Sequence, residues 1–204
     1  MDALVKEIEE GGGKAVAVAC DVTKREDLVA LVEAGMKTFG KVDVLVNNAG
    51  IMPLSPMSEL RVEEWEETID VNVKGMLYGI AEALPVFEKQ GSGHFINVSS
   101  VAGIRTFPSA AVYCGSKWAV GAIMDTLRQE VAAKNIRTTV ILPGAISTEL
   151  GNSIRHQETA DALAGFLSIA VSPQCIADAI AFAIGQPANV GVHEMVVRPA
   201  VQTL

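Results

Sequence analysis

The sequence predicts an α/β domain built on a doubly wound parallel sheet, and three observations carry that prediction. Short β-rich apolar runs alternate with amphipathic helical stretches, and such crossovers lay helices on both faces of a parallel sheet. The runs are nearly continuously apolar, as strands covered on both faces must be. Polar or glycine-containing groups follow directly after them: Asp21, Asn47 to Gly50, Ser99 with Ser100, and Pro143 to Thr148. Sheets of this kind bind ligands just beyond the carboxyl ends of their strands.

Taken in order, MDALVKEIEE (1–10) reads as the end of a helix, and Gly11, Gly12 and Gly13 as a turn. The GGGKA stretch lacks both the glycine spacing and the Ser or Thr after lysine that a phosphate loop needs. KAVAVACDV (14–22) is a β-rich run, residues from Lys24 to about Phe39 form an amphipathic helical pattern, and VDVLVNNAG (42–50) is a buried strand entering a glycine turn. A long helix is expected from about Arg61 to Lys89, then a strand in HFINVSS (94–100), a helix from Ala110 to Ala133, and a strand in IRTTVILPG (136–144). Residues 146–171 are mixed and glycine-punctuated and suit a loop over a substrate. Pro173 to Ile184 is helical, and HEMVVRP (193–199) is a short last strand. No internal repeat divides the chain, so residues 1–204 are expected to form one domain.

Composition narrows the ligand. The net charge of −8 comes from scattered acidic residues, which argues against nucleic acid or an anionic membrane surface as partner. No apolar run is long enough to span a bilayer. Small molecules remain. Cys20, Cys114 and Cys175 are far apart with no CxxC pair, and the start carries no signal peptide, which points to a reducing cytoplasm. His94, His156 and His193 have no metal-ligand spacing, so no metal is expected.

The YCGSK stretch places a phenol, Tyr113, and an amine, Lys117, one helical turn apart on one face. A free phenol has a pKa of about 10, and a nearby ammonium would pull it toward neutrality and make a general acid/base. An ordinary surface pair is the plain alternative, and the surroundings decide between the two. Those surroundings resemble the classical short-chain dehydrogenase/reductase family: Asp21-Val22, NNAG from Asn47 to Gly50, Asn72 in VNVKG, Ser100 in NVSS, YCGSK, and PGAIST from Pro143 to Thr148, in register along nearly the whole chain. Ser100 lies thirteen residues before Tyr113.

The resemblance implies a Rossmann-like fold and a tetrad of Asn72, Ser100, Tyr113 and Lys117, with Tyr113 moving a proton to or from the oxygen of a carbonyl/alcohol pair. Ser100 would stabilise charge on that oxygen, and Asn72 would hold a water that links Lys117 to solvent. Ser99 reads as a cap or loop residue. The resemblance also implies cofactor contacts from Asp21, Val22, Asn48, Ala49, Gly50, Tyr113, Lys117, Pro143, Gly144, Ile146 and Thr148, with NADP or NAD as the cofactor and NADP preferred. It further implies a homo-oligomer, tetramer or dimer. Family members carry a strand, a TGxxxGxG loop, a helix and a second strand before the point that matches Met1, so the fold is expected to be N-terminally truncated, lacking its first two strands. The runs at 14–22 and 42–50 would then expose unpaired edges or pair with one another.

Substrate contacts are expected from Ile51, Met52, Ile104, Phe107, Leu150, Leu163 and Phe166, an apolar set suited to a ketone, aldehyde or secondary alcohol. The expected activity is NAD(P)-dependent interconversion of a carbonyl and an alcohol. A non-catalytic remnant of the same scaffold, serving binding or assembly, is the alternative.

Overall fold

A computed structural model describes residues 1–203. Its centre is a four-stranded, wholly parallel sheet in sequence order: β1 (Val44–Asn47), β2 (Gly93–Val98), β3 (Ile136–Pro143) and β4 (Glu194–Val197). The helices are α1 (Asp2–Glu10), α2 (Arg25–Phe39), α3 (Val62–Ile69), α4 (Gly75–Gln90), α5 (Ala111–Val131), α6 (Gln157–Leu167) and α7 (Gln174–Ile184).

Alternate side chains of the central strands feed two cores. Phe95, Val140 and Leu142 pack with Ile80, Phe87, Val120 and Met124 of α4 and α5, the Phe87 and Phe95 ring centroids lying 4.8 Å apart. Their sequence neighbours Ile96 and Ile141 point the other way, onto Ile176 and Ala179 of α7. This is the doubly covered sheet that the apolar runs predict, since burial on both faces removes the polar alternation of a one-sided strand.

Two expectations need correction. KAVAVACDV is no strand: residues 14–21 lack regular structure, with Val16 45 % exposed. A strand exists only as a hydrogen-bonded pair, and no strand of residues 1–203 lies beside this run. Nor do the runs at 14–22 and 42–50 pair with one another. β1 is the sheet edge instead, with Val46 39 % exposed. The helix expected from Arg61 to Lys89 is present without a break from Val62 to Gln90, its middle widened into a π-type turn, Asp70–Lys74, that contains the buried Asn72. Such turns commonly sit at functional positions.

The core also encloses a histidine. His94 is 2 % exposed, and its Nε2 lies 2.8 Å from Thr139 Oγ1, whose own proton goes to the Val192 carbonyl at 2.6 Å. Nε2–H is therefore the donor, and Nδ1 is left without a partner. Burial first, and the Arg137 cation second, push the His94 pKa down to about 4. An unfolded histidine takes its proton at about 6.5, so the native state holds fewer protons between those values. Stability from this group is complete above pH 6.5 and drains away as pH falls toward 4. Urea unfolding of the protein and of His94→Gln at pH 7 and pH 4.5 should show the native histidine losing about 2 kcal/mol relative to the variant; parallel losses would reject the neutral buried imidazole.

Candidate active site

The residues after each strand meet where the sheet topology brings their ends together. β2 runs out through Val98 into Ser99 and Ser100, and Ser100 Oγ caps the short Val101–Gly103 turn by accepting from Ala102 N at 3.1 Å. The same hydroxyl hydrogen-bonds the Tyr113 phenol, which α5 presents from its first turn. One turn on, Lys117 shares that face: its Nζ is 5.8 Å from the Tyr113 ring centroid and donates to the Val98 carbonyl at 3.1 Å. Tyr113 is 3 % and Lys117 6 % exposed. The bland reading of YCGSK as a surface pair is thereby excluded.

Burial governs both titrations. It pushes Tyr113 up to about 12, against a smaller opposite pull from the Ser100 hydrogen bond, and pushes Lys117 down to about 8. The sequence expectation was that the ammonium draws the phenol toward neutrality. The structure reverses that direction, because a phenolate sealed from water loses more solvation than an amine with a depressed pKa returns. The ligand-free arrangement keeps the phenol protonated, the form that gives a proton.

Asn72 enters from the π-type turn. Its Oδ1 accepts from Ile51 N at 2.9 Å, while its Nδ2 donates to the Ile51 carbonyl at 2.9 Å and to Ser116 Oγ at 3.1 Å. Both Nδ2 protons are thus given to protein partners, while Oδ1 accepts one bond and keeps a second lone pair. A Cβ on Gly50 would fall 3.2 Å from Asn72 Oδ1 and 3.5 Å from Lys117 Nζ, so the glycine lets the turn close on both groups.

The remaining predicted residues divide. A groove runs along β1 past Val22, Asn48, Ala49 and Asn72 to Lys117, joining part of the expected cofactor set to the tetrad. Asn97, 1 % exposed, also lines it, with its Nδ2 unpartnered although Oδ1 accepts from Asn47 Nδ2 at 2.8 Å. Asp21 is exposed, and its carboxylate, accepting from Thr23 N and Oγ1, is held below the usual range. Pro143 ends β3, and the Gly144 turn is braced by the C-terminus: Gly144 N donates to the Val197 carbonyl and Ala145 N to Gln202 Oε1. Ile146 pairs with Val171, closing the base of the 146–171 segment, and Thr148 caps the following Glu149–Ser153 turn.

Among the expected substrate contacts, Met52 packs directly around Tyr113 in a cluster with Leu54, Ala102, Ala110 and Cys114, against which Leu150, Ile154 and Leu163 rest. Ile104 packs instead against the α4/α5 core, while Phe107 and Phe166 are exposed. Met52 N donates to Ser153 Oγ at 2.8 Å and Arg155 pairs with Glu67 at 3.0 Å, so the segment is fastened over the site at two points. Sequence reading missed Ser116, Ser153 and Gln202, and placed Ser99 among caps. Ser99 is in fact buried, its Oγ donating to the Lys117 carbonyl at 3.1 Å. None of these serines or the glutamine carries a spacing signal of its own. Among the described residues no cluster of metal-ligating side chains forms, and no helix is long and apolar enough to cross a membrane.

Comparison with known proteins shows the family to which the chain belongs. The family model described as short chain dehydrogenase matches residues 1–159. An uncharacterized oxidoreductase of Staphylococcus saprophyticus is 45 % identical over 207 residues, spanning 100 % of this chain and 84 % of its own. Another, of Listeria innocua, is 46 % identical over 205 residues, spanning 99 % and 83 %. Among solved structures, an alcohol dehydrogenase from the archaeon Thermococcus sibiricus complexed with 5-hydroxy-NADP superposes with a TM-score of 0.85 at 27 % identity, covering 98 % of this chain and 82 % of that one. The closed form of serine dehydrogenase complexed with NADP+ gives 0.86 at 28 % identity, covering 98 % and 82 %.

The Lys117 shift makes a stability prediction. A lysine with a folded pKa of about 8 binds fewer protons than its unfolded counterpart, at 10.5, between those values. The cost of burying the ammonium is therefore full below pH 8 and relieved as pH rises toward 10. Urea unfolding at pH 7.5 and 9.5 should show the protein gaining about 2 kcal/mol relative to Lys117→Met; no relative gain would mean that the amine keeps an ordinary pKa.

Proposed function

The chain belongs to the short-chain dehydrogenase family of NAD(P)-dependent oxidoreductases, and from that premise we propose that it interconverts a ketone or aldehyde and an alcohol, with Tyr113 as the acid/base. One observation carries the reading: the buried phenol of Tyr113 is hydrogen-bonded to Ser100 and shares its helix face with Lys117.

The residues present fit a dinucleotide at its nicotinamide end. Lys117 is a three-donor ammonium that spends one N–H on Val98, at the end of a groove where the Asn97 amide has a donor to spare. Lys117 and Tyr113 would hold the nicotinamide ribose. Asn48, Ala49 and Gly50 would border the adenosine ribose, Asp21 and Val22 the adenine, and Pro143, Gly144, Ile146 and Thr148 the nicotinamide ring. Bound, the cofactor supplies or removes hydride at the substrate carbon. Several solved neighbours are described as complexes with NADP or NADP+, which favours NADP over NAD. Residues 1–204 contain no TGxxxGxG loop, and none of the contacts proposed here is to the pyrophosphate.

For reduction, Tyr113 enters protonated and gives its proton to the carbonyl oxygen as negative charge develops there. Ser100, the phenol's hydrogen-bond partner, is placed to donate to the same oxygen. Lys117 then stabilises the phenolate left behind, a task that costs less once a ligand and the ammonium replace the lost water. The wall around Tyr113 offers Met52, Leu54, Leu150, Ile154 and Leu163, which suits a largely apolar substrate. Because the phenol is covered by the fastened 146–171 segment, that segment must move for substrate to enter. Exposed Leu77 on α4 and Trp118 on α5 support a homo-oligomer, dimer or tetramer. The assembled tetrad weighs against a non-catalytic remnant, which has no use for it.

The test is NADPH consumption with a panel of apolar ketones and aldehydes, beside NADPH and NADH fluorescence titrations. Tyr113→Phe should cut turnover by roughly 10²–10⁴-fold and leave NADPH binding within about twofold. Unchanged turnover would reject Tyr113 as the acid, and tighter binding of NADH than NADPH would reject the cofactor preference.

A further inference from the structure

Ser116 has no exposed surface. Its hydroxyl makes two contacts of different kinds, donating to the Tyr113 carbonyl at 2.7 Å and accepting from Asn72 Nδ2 at 3.1 Å. A serine that only back-bonds its own helix needs the first contact alone. The second joins α5, at the turn between Tyr113 and Lys117, to an amide that is itself clamped on both edges of the Ile51 peptide. Two segments therefore meet at this hydroxyl, the π-type turn and the first turns of α5, and Asn72 carries the link on to the loop after Gly50.

We propose that Ser116 is a positioning residue that fixes the Asn72 amide against Lys117 and thereby sets the geometry of the Tyr113–Lys117 pair. Asn72 Oδ1 and Lys117 Nζ lie 3.2 and 3.5 Å from the point where a Cβ on Gly50 would sit, so the amide oxygen and the amine border the same small space. No carboxylate does this work. From its own helix Lys117 faces Tyr113 and, beyond it, the thiol of Cys114. From the π-type turn the charged groups are Asp70 and Lys74, exposed and paired with one another at 2.7 Å. The β2 end and the turn after it offer only the Val98 carbonyl and the hydroxyls of Ser99 and Ser100. With Ser116 gone, α5 is free to drift from Asn72, and the ammonium, still held by the Val98 carbonyl, loses the fixed orientation of the neighbouring amide.

The proposal rests on Tyr113 and Lys117 working as read above, so its test has an arm that needs no turnover. Proton titration of Lys117 by NMR of 13Cε-labelled lysine, assigned with Lys117→Met, should show Ser116→Ala lowering the Lys117 midpoint by at least about half a unit, and Ser116→Thr, which keeps the hydroxyl, restoring it. In turnover assays Ser116→Ala should lower kcat by roughly tenfold or more with KM nearly unchanged. In an Asn72→Ala background it should add little, since the partner through which it acts is gone. An unmoved Lys117 midpoint in Ser116→Ala, or losses that simply add to those of Asn72→Ala and follow the fall in melting temperature, would overturn it. Absence of turnover in the unsubstituted protein would refute the oxidoreductase reading instead, leaving the lysine titration to decide the role of Ser116.

Discussion

A phenol and an amine are buried side by side with no acid to balance them. Neither charged form is welcome in that setting: burial carries Tyr113 up to about 12 and Lys117 down to about 8. What holds the pair in place is a set of neutral hydrogen bonds. The Val98 carbonyl receives the ammonium, the Ser100 hydroxyl meets the phenol, and the Ser99 hydroxyl fastens the backbone of Lys117. Buried polar groups without such partners would cost far more than these bonds return. The arrangement thus stores a proton on the phenol, and only charge developing nearby can draw it off.

The fold delivers this arrangement through one seam. β2 ends where α5 begins its second turn, and the contacts across that seam come in both directions: Lys117 reaches down to the strand end while Ser99 reaches up to the helix. Gly103 makes the close approach possible, because a Cβ there would stand 2.8 Å from the Lys117 carbonyl and 2.9 Å from Ser99 Oγ. The two cores set the strand and helix at fixed depth, so the seam inherits the rigidity of Phe87, Phe95 and Met124 beneath it. On the opposite side Ser153 and the Arg155–Glu67 pair join apolar packing in fastening residues 146–171, and the exposed ion pair contributes little of that hold.

Much of this was legible in the sequence because it depends on local rules. Tyr113 and Lys117 share a helix face by spacing alone, and continuous apolar runs implied a sheet covered on both sides. What escaped was set by partners distant in the chain. KAVAVAC has strand composition but no strand beside it among residues 1–203, so its hydrogen bonds go unmade. Ile104 turned to the α4/α5 core although it follows the catalytic strand, and Ser116 and Gln202 gained their roles from contacts 44 and 57 residues away. The direction of the Tyr113 shift failed for a related reason. Spacing reveals the neighbouring amine but says nothing of burial, and burial is the larger effect.

The central claim is therefore a claim about protonation. The chain has two tyrosines, Tyr78 and Tyr113, so titration of 13Cζ-labelled tyrosine, with Tyr113→Phe for assignment, isolates the phenol in question. The account predicts that in the ligand-free protein the Tyr113 resonance stays that of a neutral phenol at about pH 10. Ionisation of Tyr113 near neutral pH, with its midpoint below about 8, would contradict it by showing that the lysine cation, and not burial, controls the group.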